Sequence, residues 1–212
     1  MLNDSEIRQK IETGTTTVGV VCQDGIVIGA ERKATMGYLV ASKKAEKIKQ
    51  LDDHIGMTIA GVVGDAQALE RYIKAELKLY RLKEDMRISV KAAAYLIANI
   101  MYARRFYPYI VQLVVGGFDT RPRLYSFAPD GSALEEEKFY SSGSGSPMAF
   151  GVLEHGYRKG LDMETGKKLV VDAIKSAVQR DIASGGEGID LAVIDSRGFR
   201  RIPESEVEKL MK

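Results

Sequence analysis

The sequence predicts an α+β fold in which antiparallel sheets are covered by helices in outer layers. Segments with strand patterns come in pairs along the chain, and so do segments with helical patterns. Strict alternation of strands and helices would instead indicate a parallel, doubly wound sheet. The 212 residues contain no linker or low-complexity segment, so we expect one domain large enough for a substantial core.

The first strands are predicted from β-branched residues and a turn. Residues 15–22, TTTVGVVC, are rich in residues that favour strands. Asp24-Gly25 is a hairpin turn signal, and residues 26–30 form the next predicted strand. A loop with Met36-Gly37 follows. The later strand patterns lie at 48–51, 55–60, 111–118, 124–127, a run ending near 142, and 189–195.

The helices are predicted from apolar residues spaced three and four apart. The first such run begins after Asp65, which we expect to cap the helix. The second covers residues 89–105 and stops before Pro108. Two further helices are predicted at 147–158 and 165–183, and a short terminal helix from Pro203.

Composition excludes several classes of function. The net charge is only +2, so no strong field attracts nucleic acid or an anionic membrane. No apolar stretch approaches the roughly 20 residues that span a bilayer, and the N-terminus lacks a signal peptide's apolar region. With Cys22 as the only cysteine and two distant histidines, we expect a buried thiol, no disulfide, and no metal or cofactor. These features predict a soluble, cytoplasmic protein.

The composition leaves few candidates for a catalytic nucleophile, and a threonine is one of them. No nucleophile elbow is followed by a helix, and two histidines leave little for a serine or cysteine mechanism. A threonine that uses its own α-amine as base needs neither residue, provided that it begins the mature chain. Cleavage between Gly14 and Thr15 would create such a chain start at the beginning of the first predicted strand. The α-amine freed there has a pKa of roughly 8, which suits a general base. The alternative is that the three threonines simply favour a strand.

Six motifs occur in order over nearly all of residues 15–195. They are TTTVGVV after a glycine, GAERKATMG, MTIAGVVGDAQ, VQLVVGGFD, SSGSGSP, and QRDIASGG with GIDLAVI. Together they resemble archaeal-type proteasome β subunits, of the N-terminal nucleophile hydrolase family. The resemblance implies a four-layer αββα sandwich of two antiparallel sheets flanked by helices. It also implies a propeptide at 1–14, a hydrolase domain at 15–212, and autocatalytic processing between Gly14 and Thr15.

The resemblance assigns roles where its motifs match. Thr15 corresponds to the nucleophile, Glu31 to the acidic partner of a lysine, and Gly61 to the donor of an oxyanion-hole N–H. Lys47 aligns with that lysine by counting from Thr15, while Lys43, Lys44 and Lys49 are close competitors. The supporting residues correspond to Ser144, Asp181 and Ser184.

Each role has a structural alternative. Glu31 and Lys47 could form a surface pair worth roughly 0–1 kcal/mol, and Gly61 could be a turn glycine. Ser144 lies in a Ser/Gly run typical of a flexible loop. Asp181 follows Val170, Ile174 and Val178 at helical spacing, where a carboxylate needs a partner.

The resemblance also implies a substrate and partners. A threonine endopeptidase of this kind degrades unfolded polypeptides inside a chamber of homo-heptameric β rings, stacked in pairs with α-type subunit rings and served by an ATPase ring. We expect an apolar preference at the acyl side of the cut, with some room for acidic residues beside Lys49. The implied substrate-binding residues are Ala34, Thr35, Ala45, Lys49, Ile59 and Val63. The alternatives are a non-catalytic structural ring subunit, or a threonine hydrolase of the two-ring bacterial type.

Overall fold

A computed structural model describes residues 14–212 as a four-layer αββα sandwich. One five-stranded antiparallel sheet has the order β10-β1-β2-β11-β12, and the other has the order β5-β6-β7-β8-β9. Their strands are β1 (Thr17–Cys22), β2 (Gly25–Glu31), β5 (Ile48–Asp52), β6 (Ile55–Gly61), β7 (Val111–Phe118), β8 (Pro122–Phe127), β9 (Ala133–Glu136), β10 (Phe139–Ser142), β11 (Ile189–Asp195) and β12 (Gly198–Arg201). The predicted α+β sandwich is confirmed. Most of the predicted propeptide, residues 1–13, lies outside the described residues.

Helices cover the outer face of each sheet. The sheet of β5–β9 packs against α1 (Val63–Glu84) and α2 (Val90–Ala103). The sheet of β1 and β2 packs against the remaining helices of the described chain, which are α3 (Ser146–Gly156), α4 (Met163–Arg180) and α5 (Glu204–Met211). None of these helices is long and apolar enough to cross a membrane.

The two sheets face each other across a thin apolar layer. Alternate residues of β2 point into it, namely Ile26, Ile28 and Ala30, and all are fully buried. They meet Val114 of β7 and Leu124 of β8. Alternation along a strand sends successive side chains to opposite faces, so Val27 instead packs against the helices. This layer fixes how the ends of one sheet lie against the ends of the other.

Three local predictions were wrong. Asp65 is not the N-cap of α1: the helix begins at Val63, and the Asp65 carboxylate accepts a hydrogen bond from the N–H of Ile110. The loop around Met36-Gly37 is a hairpin of β3 (Ala34–Met36) and β4 (Leu39–Ser42), which turns at Gly37 with φ of 60°. The helix predicted to reach residue 183 ends at Arg180.

Other local predictions are confirmed. The helix predicted at 89–105 is α2 (Val90–Ala103), and the Ser89 side chain caps it by accepting a hydrogen bond from the N–H of Ala92. Cys22 is a buried thiol, and burial, assisted by the charges of Asp162 and Asp24, raises its pKa to about 12. A thiol with that pKa is inert at neutral pH.

Candidate active site

Antiparallel pairing gathers several of the predicted site residues at one end of the first sheet. Thr17, the first residue of β1, is paired with Ala30 near the end of β2 and with Ser142 at the end of β10. In an antiparallel pair, the end of one strand lies beside the beginning of the other. The residues at these strand ends or just beyond them therefore come together: Thr15, Glu31 and Ser144.

The second sheet contributes two residues by the same principle. Lys47 immediately precedes β5 and Gly61 ends β6, and the N–H of Ile59 donates to the carbonyl of Lys47 at 3.1 Å. Both residues line a cavity of about 360 Å³ that also includes Thr15. The cavity thus joins the ends of two different sheets.

Thr15 lies buried just before β1, with only 4% of its surface exposed. Its hydroxyl donates to the carbonyl oxygen of Gly14 at 2.6 Å, and its backbone N–H donates to Ser144 Oγ at 3.2 Å. The hydroxyl therefore lies against the peptide bond that joins residues 14 and 15.

A chain of hydroxyl groups links Thr15 to Asp181. The hydroxyls of Ser144 and Ser184 both donate to Asp181 Oδ2, each at 2.6 Å. The Thr16 hydroxyl lies 2.6 Å from Ser184 Oγ, and because Ser184 donates to Asp181, Thr16 is the donor in that pair. Asp181 is the final acceptor of both branches.

Asp181 occupies a different position from the one that periodicity indicated. It follows the last residue of α4 as its C-cap, and the buried stripe of that helix runs through Val170, Ile174 and Ala177. Val178, which we expected in the stripe, is 38% exposed. The carboxylate has its partners because it lies in the loop beyond the helix, beside β1 and the Ser144 segment.

Glu31 and Lys47 form a buried ion pair, so the surface-pair alternative was wrong. Glu31 is fully buried and Lys47 is 9% exposed. Glu31 also accepts backbone hydrogen bonds from Thr16 at 3.2 Å, Lys33 at 2.6 Å and Gly185 at 2.9 Å. With Lys47, four donors therefore surround the Glu31 carboxylate and compensate for its removal from water. Of the competing lysines, Lys44 pairs instead with Glu187 and Lys49 with Glu46.

The environment of Lys47 lowers its pKa below that of an ordinary lysine. Burial is the main cause, and the positive charge of Lys33 acts in the same direction. The carboxylates of Glu31 and Asp181 oppose the shift. Lys47 can therefore take part in proton transfer more readily than an exposed lysine.

Two glycines are required by close backbone contacts. Gly61 has φ of 128°, and a Cβ there would lie 2.2 Å from the carbonyl oxygen of Ile110. A Cβ on Gly14 would lie 1.6 Å from the Cβ of Ala183. Only glycine fits either position, because Ala183 and Ile110 pack directly against the backbone beside Thr15 and at the end of β6.

The wall of the cavity includes all six residues assigned to substrate binding. They are Ala34, Thr35, Ala45, Lys49, Ile59 and Val63. The sequence reasoning missed further wall residues, which are Lys33, Ser42, Glu46, Ala66, Gln67 and Glu70. Helical periodicity in α1 could have identified Gln67 and Glu70, because both lie one turn from Val63 or Ala66 on the same face.

Lys33 is the missed residue with the most direct contacts to the site. Its ammonium donates to the carbonyl oxygens of Ile182 at 2.8 Å and Ser184 at 2.9 Å. These carbonyls belong to the loop that holds Asp181. Lys33 stands two residues after Glu31 in the AERKA motif, which was the available signal.

The fold and the site agree with the class that the motifs indicated, an αββα sandwich with a buried threonine before its first strand. The proteasome subunit family model matches residues 11–194. A proteasome subunit beta of Methanothrix thermoacetophila is 48% identical over 94% of this chain and 96% of its own length. Proteins of the same name from Methanohalophilus mahii and Ferroglobus placidus are 46% and 45% identical, over 100% and 97% of this chain and 99% and 98% of their own lengths. The chain belongs to the proteasome subunit family, and it is a β-type member.

Proposed function

We propose that this chain is the precursor of a threonine endopeptidase subunit of a proteasome core particle, with Thr15 as nucleophile once residues 1–14 are removed. As a β-type member of its family, the chain is a peptide hydrolase subunit. The observation that carries the threonine assignment is the 2.6 Å contact between the Thr15 hydroxyl and the carbonyl of Gly14. It supports both self-processing and the identity of the nucleophile.

The first step in this proposal is cleavage of the chain's own Gly14–Thr15 bond. Thr15 Oγ1 attacks the carbonyl carbon of Gly14, and its proton passes to the amide nitrogen, which leaves as the Thr15 amine. Water then hydrolyses the resulting ester and releases residues 1–14. Gly14 carries no side chain that could come between the hydroxyl and this carbonyl, and Ala183 packs directly against it.

The freed amine acts as the general base of the mature enzyme. It takes the proton of Thr15 Oγ1 while that oxygen attacks a substrate carbonyl and forms an acyl-enzyme ester. Ser144 Oγ, which accepts from this nitrogen in the precursor at 3.2 Å, continues to orient it. The charge of Lys47 lowers the pKa of both groups, and Glu31 holds Lys47 in place.

Gly61 supplies the N–H that meets the developing oxyanion. Loss of one such donor costs about 3 kcal/mol in other hydrolases. The wall residues next to it, among them Ala34, Ala45 and Ile59, favour an apolar side chain on the acyl side of the cut.

The proposed assembly contains homo-heptameric β rings, stacked in pairs between rings of α-type subunits. An ATPase ring acts through the α rings and delivers unfolded polypeptides. A free amine at Thr15 appears only when residues 1–14 are removed, so the precursor is inactive until it is processed. We expect processing to take place on assembly.

The test is the intact mass of the chain, expressed alone and then co-assembled with an α-type partner. We expect loss of residues 1–14 on assembly, and no loss in Thr15→Ala. A matched control is Thr120→Ala, which removes a hydroxyl from an exposed turn and should process normally. An uncut chain in a fully assembled particle would instead favour the non-catalytic structural subunit.

A further inference from the structure

The end of the cavity that lies between β5 and α1 carries a cluster of charges. Lys49 of β5 lies between two carboxylates, with its ammonium 3.1 Å from Glu46 Oε2 and 3.9 Å from Glu70 Oε2. All three residues line the cavity. The side chains of Lys49 and Glu70 are 24% and 15% exposed, so this end is only partly open to water.

Further cations fix the two carboxylates. Glu70 also accepts from Lys74 at 2.6 Å, and Glu46 pairs with Arg201. Burial raises the pKa of Glu46, but the hydrogen bond from Lys49 and the charge of Arg201 outweigh it and lower the pKa overall. These ion pairs orient both carboxylates around Lys49.

Each lysine that lines the cavity has acceptors within the protein. Lys47 pairs with Glu31, and Lys33 donates to two loop carbonyls. Lys49 is the one of the three at the far end, and its charge is shared by Glu46 and Glu70. An acidic side chain that enters the cavity meets two carboxylates as well as the ammonium.

We propose that Glu46 and Glu70 are specificity-determining residues, because by holding Lys49 they deny its charge to acidic substrate side chains. This inference rests on the proposed peptidase function and names the side chains that its cavity accepts. An acidic substrate side chain must compete with both carboxylates for Lys49, and both carboxylates repel it. The cavity therefore discriminates against acidic side chains. Apolar and tyrosine side chains are accepted by the apolar walls. The sequence had suggested room for acidic residues beside Lys49, and the ion cluster narrows that expectation.

The test uses co-assembled particles and short fluorogenic peptides with Tyr, Glu or Arg on the acyl side of the cut. In Glu46→Gln/Glu70→Gln, we expect kcat/KM for the Glu peptide, relative to the Tyr peptide, to rise by about fivefold, the gain from one partly exposed ion pair. Adding Lys49→Met to that variant should return the ratio to its original value. Lys49→Met alone leaves two carboxylates at the cavity end and should raise the ratio of Arg to Tyr by roughly fivefold.

The matched control is Glu84→Gln, which removes an exposed carboxylate from the last residue of the same helix and should change neither ratio. An unchanged Glu-to-Tyr ratio in the double variant, or a rise that persists with Lys49→Met, would overturn the inference. The two single variants supply the same comparison if the double variant does not assemble. The proposed function, in contrast, would be refuted if the unmodified particle showed no peptide cleavage that Thr15→Ala abolishes.

Discussion

Two carboxylates, Glu31 and Asp181, organise the candidate site around Thr15. Glu31 holds Lys47 and accepts three backbone N–H groups, which ties the end of β2 to neighbouring segments. Asp181 accepts from two serine hydroxyls, one of which contacts the Thr15 nitrogen. Asp181 therefore reaches Thr15 through Ser144, whereas Glu31 holds a lysine that lines the same cavity as Thr15. Both carboxylates also contact the loop after α4.

Lys33 should act as a positioning residue for that loop. Lys33→Met removes the donors to the carbonyls of Ile182 and Ser184, so the loop that carries Asp181 is held by fewer hydrogen bonds. We expect kcat to fall by about one to two orders of magnitude with little change in KM, because small misplacements of reacting groups are costly. Steady-state kinetics of the assembled particle measure this split.

The pH profile separates this role from general destabilisation. The charge of Lys33 helps to lower the pKa of Lys47, so Lys33→Met should move the alkaline limb of activity to higher pH. Lys33→Arg keeps the charge and the donors, and should keep both the limb and most of kcat. A fall in activity with no movement of the limb, or no rescue by arginine, contradicts the assignment.

At the scale of elements, the regular strands and helices could be predicted and their ends could not. Periodicity identified β1, β6, β7 and α2 because each buries one face or both. The hairpin of β3 and β4 was not predicted, because its side chains are partly or fully exposed and show no alternation of apolar and polar residues. Asp65 was misplaced as a cap because its partner, the N–H of Ile110, is 45 residues away. Contacts between distant segments leave no local pattern.

The hairpin of β11 and β12 should owe its acid sensitivity to Asp195. This carboxylate accepts from Arg197 and Arg200 at the turn, and the hydrogen bonds from Arg200 hold its pKa far below the usual value. A depressed carboxyl pKa adds stability above the unfolded pKa of about 3.9, and this stability is lost as pH falls below that value. Asp195→Asn should therefore lower the free energy of unfolding by about 2 kcal/mol at pH 7.

Urea unfolding at a series of pH values tests this expectation. The difference between the original chain and Asp195→Asn should shrink steadily below pH 4, because there Asp195 binds a proton in the unfolded chain before it does so in the folded protein. Asp24→Asn is a suitable control, since Asp24 lies in the exposed turn between β1 and β2. A constant difference from neutral to acid pH would show that Asp195 acts by packing and not by charge.

On the scale of the whole molecule, the site exists because two sheets are stacked with their ends aligned. Thr15, Glu31 and Ser144 come from the first sheet, whereas Lys47 and Gly61 come from the second. The family motifs could predict Thr15, Glu31, Gly61 and Ser144, and counting from Thr15 predicted Lys47. Periodicity alone could not predict which residues meet at the site. The stacking of two sheets is recorded in the sequence only as alternating apolar residues within each strand.

A buried hydroxyl pair connects the two sheets close to Thr15. Thr58 of β6 donates to Thr17 Oγ1 of β1 at 2.9 Å, and Thr17 in turn lies 2.8 Å from Ser142 Oγ of β10. All three residues are fully or almost fully buried. Because a directional bond in the layer fixes the sheets more closely than apolar packing does, Thr58 should set the distance between Thr15 and the Lys47 end of the cavity.

Thr58→Val should therefore slow processing beyond what its loss of stability explains. We expect a cost of about 1 kcal/mol in the free energy of unfolding, as one buried hydrogen bond is lost. Ile194→Val is the matched control, because it removes about one methylene from the same layer at a similar cost but lies far along β11 from Thr15. The mass of the chain, followed over time after mixing with an α-type partner, should show slower loss of residues 1–14 in Thr58→Val than in Ile194→Val. Equal rates in two variants of equal stability would mean that general packing of the sheets, and not the hydroxyl bond between them, aligns the site.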